Sequence, residues 1–164
     1  VFAEAAYHKG SDFPGFCATL ANYHLVPESF NRPAALSIVT IEVTAAAGLL
    51  WPGAPAAAPS LAAAIFLGYG AAIAVNLLRG RRNIDCGCSG PAVRQSLSEG
   101  LVFRNIALAA CCWVATFDQL ARPLGALDTG TVLFGVAGLF LIYVASNRLL
   151  AESAHFRAAL NHDE

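Results

Sequence analysis

Two cysteines one residue apart, Cys86 and Cys88, flank Gly87 and directly follow Asp85. They lie in a polar stretch, residues 79–99, that also carries Arg79, Arg81, Arg82 and Arg94. A disulfide closed across a single residue departs from relaxed geometry, so it is strained and readily reduced. Strained and exposed disulfides are the ones that exchange. Gly87 supplies the backbone freedom such a ring needs. A nearby cation favours the reactive thiolate, a role open to Arg104 and Arg82. Asp85 opposes that effect by its charge but can relay a proton. The pair admits two other readings, a permanent disulfide that pins the loop and a soft-metal site. Two thiols alone do not complete a zinc site, whereas copper(I) accepts fewer ligands. Cys86, Cys88, Arg104 and Asp85 are the candidate catalytic residues, and no metal is expected.

Other reactive or charged side chains sit among apolar ones. Cys17, on the same side as the pair, can act as a resolving thiol or as packing, and lone cysteines on apolar helical faces more often pack. Cys111 and Cys112 are adjacent on a helix, point in different directions and read as packing. Glu42 and Arg104 fall inside apolar segments, where a charge costs about 2.5–3.5 kcal/mol on insertion scales and usually has a partner. Arg104 can reach inward to Glu42, or snorkel to the headgroups. Asn76 and Asn105 can complete a polar cluster at that end, which makes a proton or quinone site below the cysteine loop one reading. The spacing of His8 and His24 matches no metal pattern.

These residues must be positioned by membrane helices. Charged residues make up 13% of the chain, against about 25% in soluble domains, which leaves too few for a soluble surface. The net charge of −1 provides no basic face for nucleic acid. A crossing needs about 20 mainly apolar residues, and four segments qualify: residues 33–51, 59–78, 100–117 and 129–150. Lipid-exposed irregular backbone is excluded within a bilayer, so all four should be helices. Pro52-Gly53-Ala54-Pro55 is a tight turn. Gly68, Gly70, Gly135 and Gly138 permit close helix approach. Residues 11–25 form a separate short helix: Phe13, Phe16, Cys17, Leu20 and His24 share one face, Ser11 or Asp12 can cap it, and Pro14 is tolerated in its first turn. Too short to span, it should lie in the interface. Residues 151–164 form a polar tail. The chain contains no methionine, and residues 1–9 read as the end of an upstream span, the fifth in an intact chain. The expectation is an all-α polytopic transmembrane bundle, a single domain over residues 1–150 with its redox loop at 79–99.

One sequence pattern carries a resemblance. Lys9, Asp12-Phe13, Phe16, Leu20, Tyr23, Leu25-Val26-Pro27, Glu42, Asp85-Cys86-Gly87-Cys88 and Arg104-Asn105 together resemble the methylamine-utilisation MauE family, bacterial membrane proteins within the wider DoxX-like group. Ser89 departs from the aromatic residue that usually follows the second cysteine there. The resemblance implies a multi-pass protein of the bacterial inner membrane that matures a periplasmic, disulfide-rich dehydrogenase alongside a thioredoxin-like partner. It also implies a periplasmic cysteine loop. Lys9, Arg32, Arg79, Arg81, Arg82, Arg94, Arg148 and Arg157 share that loop's side, with Arg122 opposite, and the positive-inside rule places such a face in the cytoplasm. Persistent disulfides belong in the oxidising periplasm, and the resemblance is followed on this point.

The functional expectation is a thiol–disulfide exchange or maturation factor. It would pass electrons between Cys86/Cys88 and the thioredoxin-like protein, serving a periplasmic dehydrogenase or other redox-complex subunits. No cofactor is assigned, and a quinone is a candidate further acceptor. The alternative is a non-catalytic anchoring subunit whose cysteines staple a loop.

Overall fold

A computed structural model describes residues 1–51, 57–87, 96–117 and 125–160. Cys88, Arg94 and the turn at residues 52–55 lie outside the described residues, as does Arg122, and of the side chain of Arg157 nothing is described. The described elements are helical: α1 (Phe2–Ser11), α2 (Phe13–Tyr23), α3 (Asn31–Leu50), α4 (Ala57–Leu78), α5 (Glu99–Val114) and α6 (Ala126–Leu160), with a 3-10 turn at Glu28–Phe30. The chain divides into two compact units, Val1–Phe117 and Asp118–Glu164.

Within the first unit α4 packs most extensively on α5, and α3 receives α1 and α2. The shared apolar core is built from small residues and two rings. Phe2, Ala45, Ala62, Phe66 and Ala109 form one cluster joining α1, α3, α4 and α5. The rings of Phe2 and Phe66 lie 4.7 Å apart. Alanine in the seam lets helix backbones approach, which is how helices associate in lipid. A Cβ on Gly70 would sit 3.5 Å from Asn105 Cβ, so α4 and α5 are close there. Cys112 packs against the cluster, the role its position suggested. Large apolar side chains such as Leu67, Leu78, Phe103 and Trp113 are exposed, as expected where lipid rather than water covers the protein.

The stretches Glu28–Leu50, Ala57–Leu78 and Gly130–Leu149 are long and apolar enough to cross a membrane. The chain is a polytopic membrane protein. Residues 100–117, the remaining segment expected to span, contain a shorter helix. α5 has 16 residues, which extend about 24 Å at 1.5 Å per residue against a hydrocarbon core of about 30 Å. The helix closes because backbone N–H groups tighten onto the i−3 carbonyls, Thr116 onto Trp113 and Phe117 onto Val114. The Thr116 hydroxyl also donates to Trp113 O at 2.6 Å and competes for the same acceptor. At the other end of the chain, α6 continues past Leu150 to Leu160.

α2 forms where cap and spacing place it. Asp12 accepts from Gly15 N at 3.0 Å, Pro14 lies in the first turn, and His24 ends the helix in the left-handed region at φ 48°.

Candidate functional site

The cysteine loop is tied to α2 by several contacts. Arg79 Nη1 donates to His24 O and Arg81 Nη1 to Asn22 O, each at 3.3 Å. The carbonyls at a helix C-terminus lack intrahelical partners and carry partial negative charge, so two guanidinium groups suit them. Tyr23, buried at the end of α2, donates its hydroxyl to the backbone carbonyl of Cys86 at 3.4 Å. Asp85 Oδ1 accepts from Gly87 N at 3.1 Å, an Asx-type turn. Asp85 also bridges to Ser96 across the loop, and Leu97 N donates to Arg82 O and Ile84 O. Asp85 therefore shapes the turn that presents Cys86.

Gly87 is required twice over. Its φ is +70°, where a Cβ is strained, and a Cβ there would lie 2.9 Å from Thr19 Cγ2 on α2. The loop backbone thus rests directly on α2. Cys86 itself is 8% exposed.

Arg82 is engaged elsewhere, by Glu99 at 2.6 Å, with both side chains more than half exposed. That hydrogen bond, then the Glu99 charge, holds the Arg82 guanidinium above its ordinary pKa. Arg104 is half-buried on α5.

Glu42 is fully buried, and its partner differs from the one its position suggested. One of two readings of the sequence pairs it with Arg104; the structure supplies Lys9. Lys9 Nζ lies 2.6 Å from Glu42 Oε1 and donates to Tyr69 OH at 2.9 Å. The Tyr69 hydroxyl donates in turn to the same Glu42 oxygen at 2.6 Å. Lys9 is 3% exposed and Glu42 0%, so the pair is withdrawn from solvent and the opposite charges cancel locally. Lys9 also faces the rings of Phe16, at 5.0 Å, and Tyr69, at 4.6 Å. Tyr69 went unnoticed in the sequence, although a phenol in the middle of an apolar run needs a polar partner.

Asn76 and Asn105 are buried but turn inward on their own helices, donating to Ala72 O at 3.1 Å and Leu101 O at 2.7 Å. Asn105 lies at the α4–α5 seam, beside Gly70. The His24 ring bonds locally, with Nδ1 3.0 Å from Asn22 O. Cys17 is half-buried on α2.

Lys9 and Tyr69 share with Cys86 a cavity of about 330 Å³, whose lining also includes Phe16, Tyr23 and Gly68. A proton or quinone site below the cysteine loop is one reading of the sequence, but the space itself exists only once α2 lies over α3 and α4.

Residues 1–118 match the family described as "Methylamine utilisation protein MauE". This chain belongs to the MauE family. The methylamine utilization protein MauE of Paracoccus versutus is 40% identical over 150 residues, 91% of this chain and 81% of the relative. That of Paracoccus denitrificans is 34% identical over 155 residues, covering 94% and 83% of the two chains. In Methylorubrum extorquens the corresponding protein is 35% identical over 152 residues, with 92% and 81% covered. No solved structure matches the chain significantly. The family match covers the first compact unit, which holds the Lys9–Glu42–Tyr69 triad, the cavity and the cysteine loop.

Proposed function

We propose that this MauE-family protein is a membrane thiol–disulfide exchange factor that matures a periplasmic redox enzyme. It acts in methylamine utilisation, as the names of its relatives suggest. Cys86 and Cys88 form the exchanging pair, the partner is a thioredoxin-like protein, and the site faces the periplasm across the bacterial inner membrane. The observation that carries this reading is the fixed placement of Cys86 beside a cavity. Gly87, Asp85 and Tyr23 hold its backbone in a fixed turn on α2, beside a cavity that reaches the bundle interior. A permanent staple needs no cavity, whereas exchange benefits from a held cysteine and space beside it. Arg104 is assigned a positioning role toward the pair, and Asp85 shapes the turn.

The test is a trapping experiment in cells. Cys88→Ser leaves Cys86 to form a mixed disulfide that its partner cannot resolve. A cross-linked thioredoxin-like protein, released by reductant and absent in the Cys86→Ser/Cys88→Ser double variant, is expected. The alternative, an anchoring subunit with a static loop disulfide, is favoured by the low exposure of Cys86. Normal maturation of the periplasmic redox enzyme after removal of both cysteines would establish that alternative.

A further inference from the structure

We infer that the cavity between α2, α3 and α4 binds the ring of a membrane quinone, with Lys9 as hydrogen-bond donor to a ring carbonyl. The argument begins with charge. Lys9 is a buried ammonium at the cavity wall, but Glu42 already balances it. A second anion, such as a fatty acid carboxylate or a lipid phosphate, would leave the site with uncompensated negative charge in a low-dielectric interior. A neutral ligand would not. The ammonium has three N–H donors, of which Glu42 and Tyr69 take two among the described residues. The remaining donor calls for a neutral acceptor, and a carbonyl is the simplest.

Shape narrows the class further. The volume of about 330 Å³ falls at the small end of the usual range for ligand pockets and suits a single ring. Phe16 and Tyr69 line the cavity and flank the donor, so the walls next to a bound ring are aromatic. Leu25 and Ile41 line the cavity and are 40% and 43% exposed. Their walls open onto a surface that lipid covers, which gives an isoprenoid tail a route out. Cys86 lines the same space. A neutral, flat, carbonyl-bearing, lipid-soluble molecule beside a cysteine describes a quinone.

The redox step rests on the exchange chemistry proposed above; the binding step does not. The thiols of Cys86 and Cys88 give up two protons and two electrons and form one S–S bond. The quinone accepts both protons and both electrons and departs as the quinol.

Binding is measured with tritiated decylubiquinone on the full chain in lipid nanodiscs. One saturable site is expected. Gly68 lines the cavity, and a Cβ there meets nothing within 4 Å, so Gly68→Leu fills the space without disturbing packing. Ala72→Leu, one turn along the same wall, is the second variant. Each should weaken binding about tenfold or more, and oleate should not displace the quinone. Absent saturable binding, unchanged affinity in both variants or ready displacement by oleate overturns the inference and leaves thiol exchange untouched. Pre-reduced wild type should convert bound decylubiquinone to its quinol, and Cys86→Ser should bind it without reducing it. Binding without reduction by wild type overturns the redox step alone.

Discussion

Removing the Lys9 ammonium would leave the Glu42 carboxylate buried without its counter-charge. Breaking one partner out of a buried pair typically costs about 3–5 kcal/mol, more than the pair itself is worth. Lys9→Met should therefore destabilise the first unit by about that amount, read by unfolding in mixed detergent micelles. Lys9→Met with Glu42→Leu removes both charges and should recover most of the loss; equal instability of single and double variants would show that the charge is not the cause. Gly87 offers a second test. Alanine at a left-handed φ costs roughly 1–2 kcal/mol, and here a Cβ also meets Thr19 Cγ2 at 2.9 Å. Gly87→Ala should loosen the loop, seen as faster hydrogen exchange at residues 84–87. Adding Thr19→Ala should reverse only the steric part, since the backbone strain remains. Full reversal would mean that the positive φ carries no cost.

Among the elements, α2 is the one most readable from sequence. Asp12, Pro14 and the recurrence of Phe13, Phe16 and Leu20 are local signals, and local signals decide where a short helix begins and which face is apolar. Asp12→Ala removes the bond to Gly15 N and should cost about 1 kcal/mol, measurable as lower protection of the first turn of α2. Three of the four span segments were legible for the same reason, since length and apolarity are properties of a run. Residues 100–117 were not, because local bonds at Thr116 and Phe117 close α5 early. The partner of Glu42 was not legible either. Arg104 was the cation the sequence offered and Lys9 was not, because only the packing of α1 on α3 brings Lys9 to Glu42. Tyr69 and the cavity were hidden likewise, because both depend on helices far apart in sequence. Arg82 looked available to the cysteines until Glu99 engaged it. Its pKa is raised in the folded chain, so this contribution is present below the unfolded value and lost only as pH rises through the folded one. Both lie far above neutrality. Stability from neutral to mildly alkaline pH should be insensitive to Arg82→Gln in its pH dependence, and a new titration step in that range would contradict the assignment.

Across the whole molecule, the open quantity is sidedness, where the arginine distribution and the family resemblance point opposite ways. Asn83 is exposed beside the cysteine loop. With the native cysteines replaced by serine, Asn83→Cys should react with a membrane-impermeant maleimide added outside intact spheroplasts; labelling only after lysis would place the loop in the cytoplasm. The Lys9–Glu42 pair has a different consequence, one that concerns synthesis. Its partners lie 33 residues apart, so the ribosome delivers the cation well before the anion. Until α3 emerges, α1 holds a lone ammonium that lipid does not welcome, and α3 then arrives with a carboxylate of its own. Neither helix is at ease in the bilayer before they meet. The insertion machinery must keep the first close at hand until the second appears, and the pairing that later looks like a static brace is, at birth, the event that lets both helices go.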